Sequence, residues 1–175
     1  MAEADTAAQA MYVRSFHGRC HSTDWDRQTV ERRITHVLSI CTDALPAELP
    51  QSGFQHMRIP IEDVDSADLL VHLPAACQFI NHALQTGGAI LVHSGISRSA
   101  AVVAAYLMWF QRIALTQALQ AIRKARPQIW PNRGFQEQLV LFELCQYAPS
   151  PANGIYQSWR YKVDRQLRTR GERSY

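Results

Sequence analysis

The chain has 175 residues, 47% hydrophobic and 19% charged, with a formal net charge of +3. That length can bury a sizeable core without disulfides, and the composition is neither that of a disordered nor of a collagen-like or disulfide-dense chain. No apolar run approaches the ~18 to 20 residues of a membrane-spanning helix, and the acidic, small-residue start MAEADTAAQA is unlike a secretory signal, so a cytoplasmic or nuclear protein that contacts no membrane is expected.

Residues 1–9 read as a flexible N-terminus. Met11 to Arg14, Thr35 to Cys41, Phe54 to Pro60 and Ala89 to His93 are short, apolar and bounded by polar or Gly/Pro segments, which predicts strands. Pro74 to Leu84 predicts a helix, with Ala76, Cys77, Ile80 and Leu84 on one face and the proline tolerated in the first turn. Ser99 to Phe110 is apolar nearly all round and predicts a central, buried helix whose start lies at Arg98. Thr116 is a candidate cap for a helix over Gln117 to Lys124, and Phe135, Leu139, Phe142 and Cys145 form the apolar stripe of the next one. Strands alternating with helices argue for an α/β fold with a central, mostly parallel sheet flanked by helices. At the C-terminus Arg160, Lys162, Arg165, Arg168, Arg170 and Arg173 face only Asp164 and Glu172, a balance of +4 that leaves the rest of the chain at −1. Trp159, Val163 and Leu167 recur there at helical spacing and predict a helix docked on the domain; the alternative use of these cations is contact with an acidic partner or nucleic acid.

The chemistry concentrates where the fourth strand meets the apolar helix. His93, Ser94, Gly95, Ile96, Ser97 and Arg98 form a short loop at a helix start. Unpaired N–H groups and the helix dipole favour an anion there, and the forked guanidinium of Arg98 can grip two phosphate oxygens. Open α/β sheets place ligands at the carboxyl ends of their strands. Cys20, Cys41, Cys77 and Cys145 lack paired or metal-type spacing and read as reduced structural thiols. There is no Gly-x4-Gly-Lys-Ser/Thr run and no GxGxxG, and of the dispersed histidines only His17 and His21 stand at an i, i+4 spacing, so neither cofactor nor metal is implied.

The run His93-Ser94-Gly95-Ile96-Ser97-Arg98-Ser99-Ala100 resembles the active-site loop of the cysteine-dependent dual-specificity protein phosphatases, whose pattern is His-Cys, two residues, Gly, two residues, Arg, Ser or Thr. Ile34 to Ile40 (ITHVLSI), the Ile59-Pro60-Ile61-Glu62-Asp63 segment followed by Asp68-Leu69-Leu70, and Arg126-Pro127, Pro131-Asn132, Gly134-Phe135 and Gln138-Leu139 carry the same resemblance over roughly residues 10–147. It implies the compact protein tyrosine phosphatase-like fold of the atypical branch over 10–147, with 148–175 as a basic, partly helical extension. By the same resemblance Asp63 is the general acid that protonates the leaving oxygen, chosen over the nearby Asp65 and Asp68 because it follows the Ile-Pro-Ile-Glu run. Gly95, Ile96, Ser97 and Arg98 would cradle phosphate, Ser99 would ease departure of the thiolate, His93 would tune it, and Asn132 would tie the loop to the last helices. The simpler readings are a surface arginine at Arg98, a helix cap at Ser99, a backbone-bonded histidine at His93 and an N-cap at Asn132.

The loop departs from the pattern in two ways. Aligned on His93, Ser94 stands at the nucleophile position, and three residues rather than five separate it from Arg98; aligned on Arg98, Val92 stands there, and neither alignment supplies a thiolate. A serine keeps its proton unless a base removes it, and His93, adjacent on an extended strand, points to the opposite face. The shortened loop also loses two N–H donors. Three readings follow: a pseudophosphatase that binds phosphoproteins weakly or serves as a scaffold; an active protein tyrosine/serine/threonine phosphatase whose recorded loop was altered by mutation, splicing or a gene-model error; and an interaction module that uses residues 160–175 on a polyanion, lost when those residues are removed.

Overall fold

The computed structural model describes residues 11–15, 33–43, 52–94 and 96–172. The expected flexible N-terminus, Cys20, His17, His21, Gly95 and Arg173 lie outside them. Four strands, β1 (Met11–Ser15), β2 (Ile34–Ile40), β3 (Gln55–Ile59) and β4 (Ala89–Ser94), form one sheet in the order β1-β4-β2-β3. All three pairings are parallel, with Val13 and Leu38 on either side of Val92 and Leu38 also opposite Met57. The sheet is parallel throughout its described strands, which sharpens the expectation of a mostly parallel one.

Side-chain alternation sorts each strand between two faces. Leu38, Ile40, Ile90 and Val92 join the main core, while Val37 and Leu91 pack with Ile34 in a smaller cluster. A register irregularity between Ile34 and His36 lets Ile34 share that cluster. Because Ser94 follows Val92 by two positions, its side chain leaves the strand on the main-core face, and His93 leaves on the other.

The main core lies between the sheet and the helices α1 (Leu73–Gln85), α2 (Arg98–Gln111), α3 (Leu115–Ala125), α4 (Arg133–Leu144) and α5 (Gly154–Glu172). A short 3-10 turn, Leu70–His72, leads into α1, which has Pro74 in its first turn. The inward face of α1 comprises Leu73, Ala76, Cys77, Ile80 and Ala83; Leu84, expected inside, is half-buried, because Ala83 continues the i, i+3 row that points to the sheet. In α2 every residue from Ser99 to Met108 is buried, as an all-round apolar helix requires.

Two helix boundaries differ from the sequence reading. α3 starts at Leu115, ahead of Thr116: Ala114 is extended at φ −67° and ψ 154°, and the Gln117 side chain accepts its N–H at 3.1 Å, so the start is held from inside the helix rather than by a threonine cap. In α5 Tyr156, Trp159 and Val163 are buried, whereas Leu167, expected to dock, is exposed. Val163 is the last buried residue of α5 among those described, and residues 165–169 are exposed.

Candidate phosphate-binding site

The carboxyl end of β4 and the amino end of α2 meet at the candidate loop. Ser94 is 2% exposed, and its Oγ accepts the N–H of Ser99 at 2.9 Å. A side-chain oxygen of the strand therefore satisfies one of the first-turn donors of α2. Ser97, also buried, accepts the Asn132 N–H at 2.8 Å.

Arg98 opens α2 and reaches towards the segment after β3. Its Nη1 donates to the Ile61 carbonyl at 2.7 Å, and its Nε lies 3.8 Å from Asp63 Oδ2. That separation is an ion-pair distance without a hydrogen bond, and the buried Nε has no hydrogen-bond partner among the described residues. Asp63 Oδ1 accepts from Asn132 Nδ2 at 3.0 Å. Asn132 also caps α4, its Oδ1 accepting the Phe135 N–H at 2.8 Å. Asn132 thus caps α4 with its side chain and meets the candidate loop through its backbone N–H.

Of the three carboxylates that competed for the acid position, Asp63 is the one beside Arg98. Asp68 accepts the Tyr156 hydroxyl at 2.5 Å and the Val71 N–H at 3.4 Å, which ties it to α5 and to the 3-10 turn. Asp65 lies against α4, where a Cβ on Gly134 would overlap the Asp65 backbone, so only glycine permits this approach. Gln138, fully buried, accepts from the N–H groups of Leu69 and Leu70 at 2.9 and 2.8 Å and donates to the Ala67 carbonyl at 2.8 Å. The segment from Ile61 to Leu70 is thereby fastened at Arg98, Asn132, Gly134, Gln138 and Tyr156. The last two were not singled out for this role from sequence; a glutamine three positions after Phe135, inside an apolar stripe, was the available signal.

His93 is buried, and burial, followed by the nearby Arg98 and His56, lowers its pKa from 6.5 to about 4. It is neutral at pH 7 and a weak base, and it projects to the face opposite Ser94. Ile96 is half-buried in the turn that precedes Ser97. None of the described cysteines lies between β4 and α2. Cys77 is buried in α1 with its thiol pushed up by burial, and Cys41 follows β2, its thiol donating to the Asp43 carbonyl at 3.3 Å. Cys145 caps the far end of α4, about 18 Å along a 12-residue helix from Asn132, and burial raises its pKa too.

An arginine at the start of a buried helix, a carboxylate facing it from the segment after β3, and a parallel sheet that delivers the loop define a phosphatase-like α/β domain. The family model "Dual specificity phosphatase, catalytic domain" matches residues 16–145, and the chain belongs to that family. It is 40% identical to the dual specificity protein phosphatase Mpk3 of Drosophila melanogaster over 113 residues, 63% of this chain and 27% of that one. The crystal structure of human DUSP28 superimposes with a TM-score of 0.70 at 32% identity, covering 82% of this chain and 98% of that chain. The crystal structure of human tyrosine phosphatase-like serine/threonine/tyrosine-interacting protein gives a TM-score of 0.63 at 30% identity, covering 70% and 84%. The chain spans only 27 to 39% of the length of Mpk3 and of the rodent dual specificity protein phosphatases 12. Among the described residues no helix is long and apolar enough to cross a membrane.

Proposed function

We propose that this chain is a pseudophosphatase: a dual-specificity phosphatase-family domain, residues 10–147, with a basic extension, 148–175, that engages phosphoproteins weakly or as a scaffold and does not hydrolyse them. The observation that carries the reading is the state of Ser94. Its Oγ is taken up as acceptor for the first turn of α2, and the one base next to it in sequence, His93, is neutral and weak. A cysteine in such a site would ionise under the helix N-terminus and the arginine; a serine hydroxyl would not. Arg98 and Asp63 keep a pair of opposite charges, so the site retains a cation for a phosphoryl group. Phosphotyrosine, phosphoserine and phosphothreonine proteins in the cytoplasm or nucleus are the ligands this reading assigns. The similarity to a protein described as phosphatase-like and interacting supports it.

Arg98, Asp63, Ser99 and Asn132 favour a second reading, in which an active enzyme is represented with an altered loop, since a domain without catalysis has no need of an acid beside its arginine. Exposed Arg165 and Arg168, which have no carboxylate partner among the described residues, favour a subsidiary contact of α5 with an acidic partner or nucleic acid. Ser94→Cys tests whether the shortened loop is a defect separate from the missing thiol. With two loop donors missing, each worth about 1.5 to 3 kcal/mol when bonded to a charged group, the variant is expected to remain inactive towards an aryl phosphate. Turnover by Ser94→Cys near that of an intact family member would show that the shortened loop is not a second defect, whereas turnover by the chain itself would overturn the pseudophosphatase reading.

A further inference from the structure

Between Asp68 and Glu137 the chain contains no carboxylate, while Arg98, Arg112, Arg123, Lys124, Arg126 and Arg133 all fall inside that interval. The α3–α4 connection therefore carries cations and no carboxylate of its own, and Asp63 and Asp65 approach it from the segment packed on Asn132 and Gly134. Arg123, Lys124, Arg126 and Arg133 are exposed, and none has a carboxylate partner among the described residues.

Two positions in this stretch, Trp130 and Arg133, run against local preference. Trp130 is 39% exposed although its neighbours Ile129 and Pro131 are buried, and the Arg123 guanidinium lies over its ring at 4.7 Å from the centroid. A large aromatic held at the surface by a cation is a rigid, amphipathic contact element. Arg133 occupies the first turn of α4, where the helix dipole disfavours a positive charge. Arg133 opposes its helix and makes no ion pair among the described residues even though the exposed Asp65 lies against the next residue, Gly134, and such a free cation points to use on an external anion.

The location adds a direction. Trp130 and Arg133 flank Asn132 by two residues and one, and Asn132 bonds to both Ser97 and Asp63. Their backbones therefore lie within about 7 Å of a residue that touches the candidate phosphate loop. We propose that Arg123, Trp130 and Arg133 form a docking rim for the acidic residues that flank the phosphorylated residue of a peptide whose phosphoryl group pairs with Arg98. This rests on the phosphoprotein-binding reading above and names its ligand class. An extended peptide advances about 3.3 Å per residue, so acidic side chains two to four positions from the phosphorylated residue reach the rim. A peptide fits better than nucleic acid because the Arg98 side chain is only 16% exposed. A phosphomonoester at the tip of a side chain can enter such a recess; a phosphodiester, blocked on both sides, cannot.

The test is fluorescence anisotropy at low and moderate salt with three labelled peptides: a phosphotyrosine peptide with acidic flanks, the same with neutral flanks, and the acidic peptide unphosphorylated. The acidic phosphopeptide is expected to bind at least about tenfold more tightly than the neutral one, with the difference shrinking as salt rises. Trp130→Ala with Arg133→Gln should remove most of that difference and leave the neutral phosphopeptide unchanged. Arg133→Gln alone, which perturbs only an exposed side chain, should remove part of it. Equal affinities for the acidic and neutral phosphopeptides, or equal weakening of both by the variants, would overturn the rim. So would tighter, rim-dependent binding of a single-stranded oligonucleotide than of the acidic phosphopeptide. If phosphorylated and unphosphorylated acidic peptides bind alike and both depend on Arg133, the rim stands and the phosphate-site reading fails.

Discussion

Asn132 holds three things together: the start of α4, the Ser97 hydroxyl and the Asp63 carboxylate. Asn132→Ala removes a cap, typically ~1 kcal/mol, and leaves Asp63 without its amide donor. Thermal unfolding should show a midpoint lower by about 2 to 4 °C, as expected for a domain of this size. An unchanged midpoint would mean that the cap is replaced locally. Arg98 was legible as a candidate from its place at a helix start, Asp63 and Asn132 only through the family resemblance of the segments that carry them. Gln138 was not, because its partners Ala67, Leu69 and Leu70 lie 68 to 71 positions away and nothing local shows which backbone groups it must satisfy. The loop itself was legible as a departure, since a missing cysteine can be read directly.

At the scale of elements, the segment carrying Asp63 is set by helices that follow it much later in the chain. Tyr156 of α5 donates to Asp68 at 2.5 Å, which fastens that segment to a helix beyond the family-matched residues. Burial and then Asp68 push the Tyr156 pKa up to about 12, so the phenol stays protonated and remains a donor. Tyr156→Phe keeps the ring and deletes the donor. Loss of a bond to a charged acceptor should cost about 1.5 to 3 kcal/mol in chemical denaturation and speed amide exchange in residues 61–70 more than in β4. Uniform acceleration across the chain would instead indicate a purely global loss. Strands and helices were largely legible, each strand to within one residue at either end, because hydrophobic period survives in a single sequence. The start of α3 was misread because Gln117 acts as a reverse cap from inside the helix. The docked length of α5 was overestimated because helical spacing shows where a stripe continues and not where its partner surface ends.

For the whole molecule, the α/β class was legible from the alternation of elements, and so was the meeting of β4 with α2 at the candidate loop, whereas the strand order was not, because pairing is long-range. Packing on both sides of the sheet also produces a pH dependence that sequence does not show. His93 is held at about 4 and His36, buried beside His82, is lowered as well, in each case first by burial. A base with a depressed folded pKa contributes stability that is complete above its unfolded value of 6.5 and is lost as pH falls towards the folded value. For His93 this amounts to something on the order of 3 kcal/mol between pH 6.5 and 4. Denaturation midpoints should fall across that window, and His93→Gln should flatten the fall; an unaltered slope would contradict the assignment. The central claim, a phosphatase-family domain without hydrolysis, is tested most directly by aryl phosphate turnover of this chain beside a variant whose loop is rebuilt as His-Cys plus two small residues before Gly95. The chain is expected to be inert and the rebuilt variant to turn over at a rate dependent on Asp63. Turnover by the chain itself, abolished by Arg98→Ala, would contradict the claim.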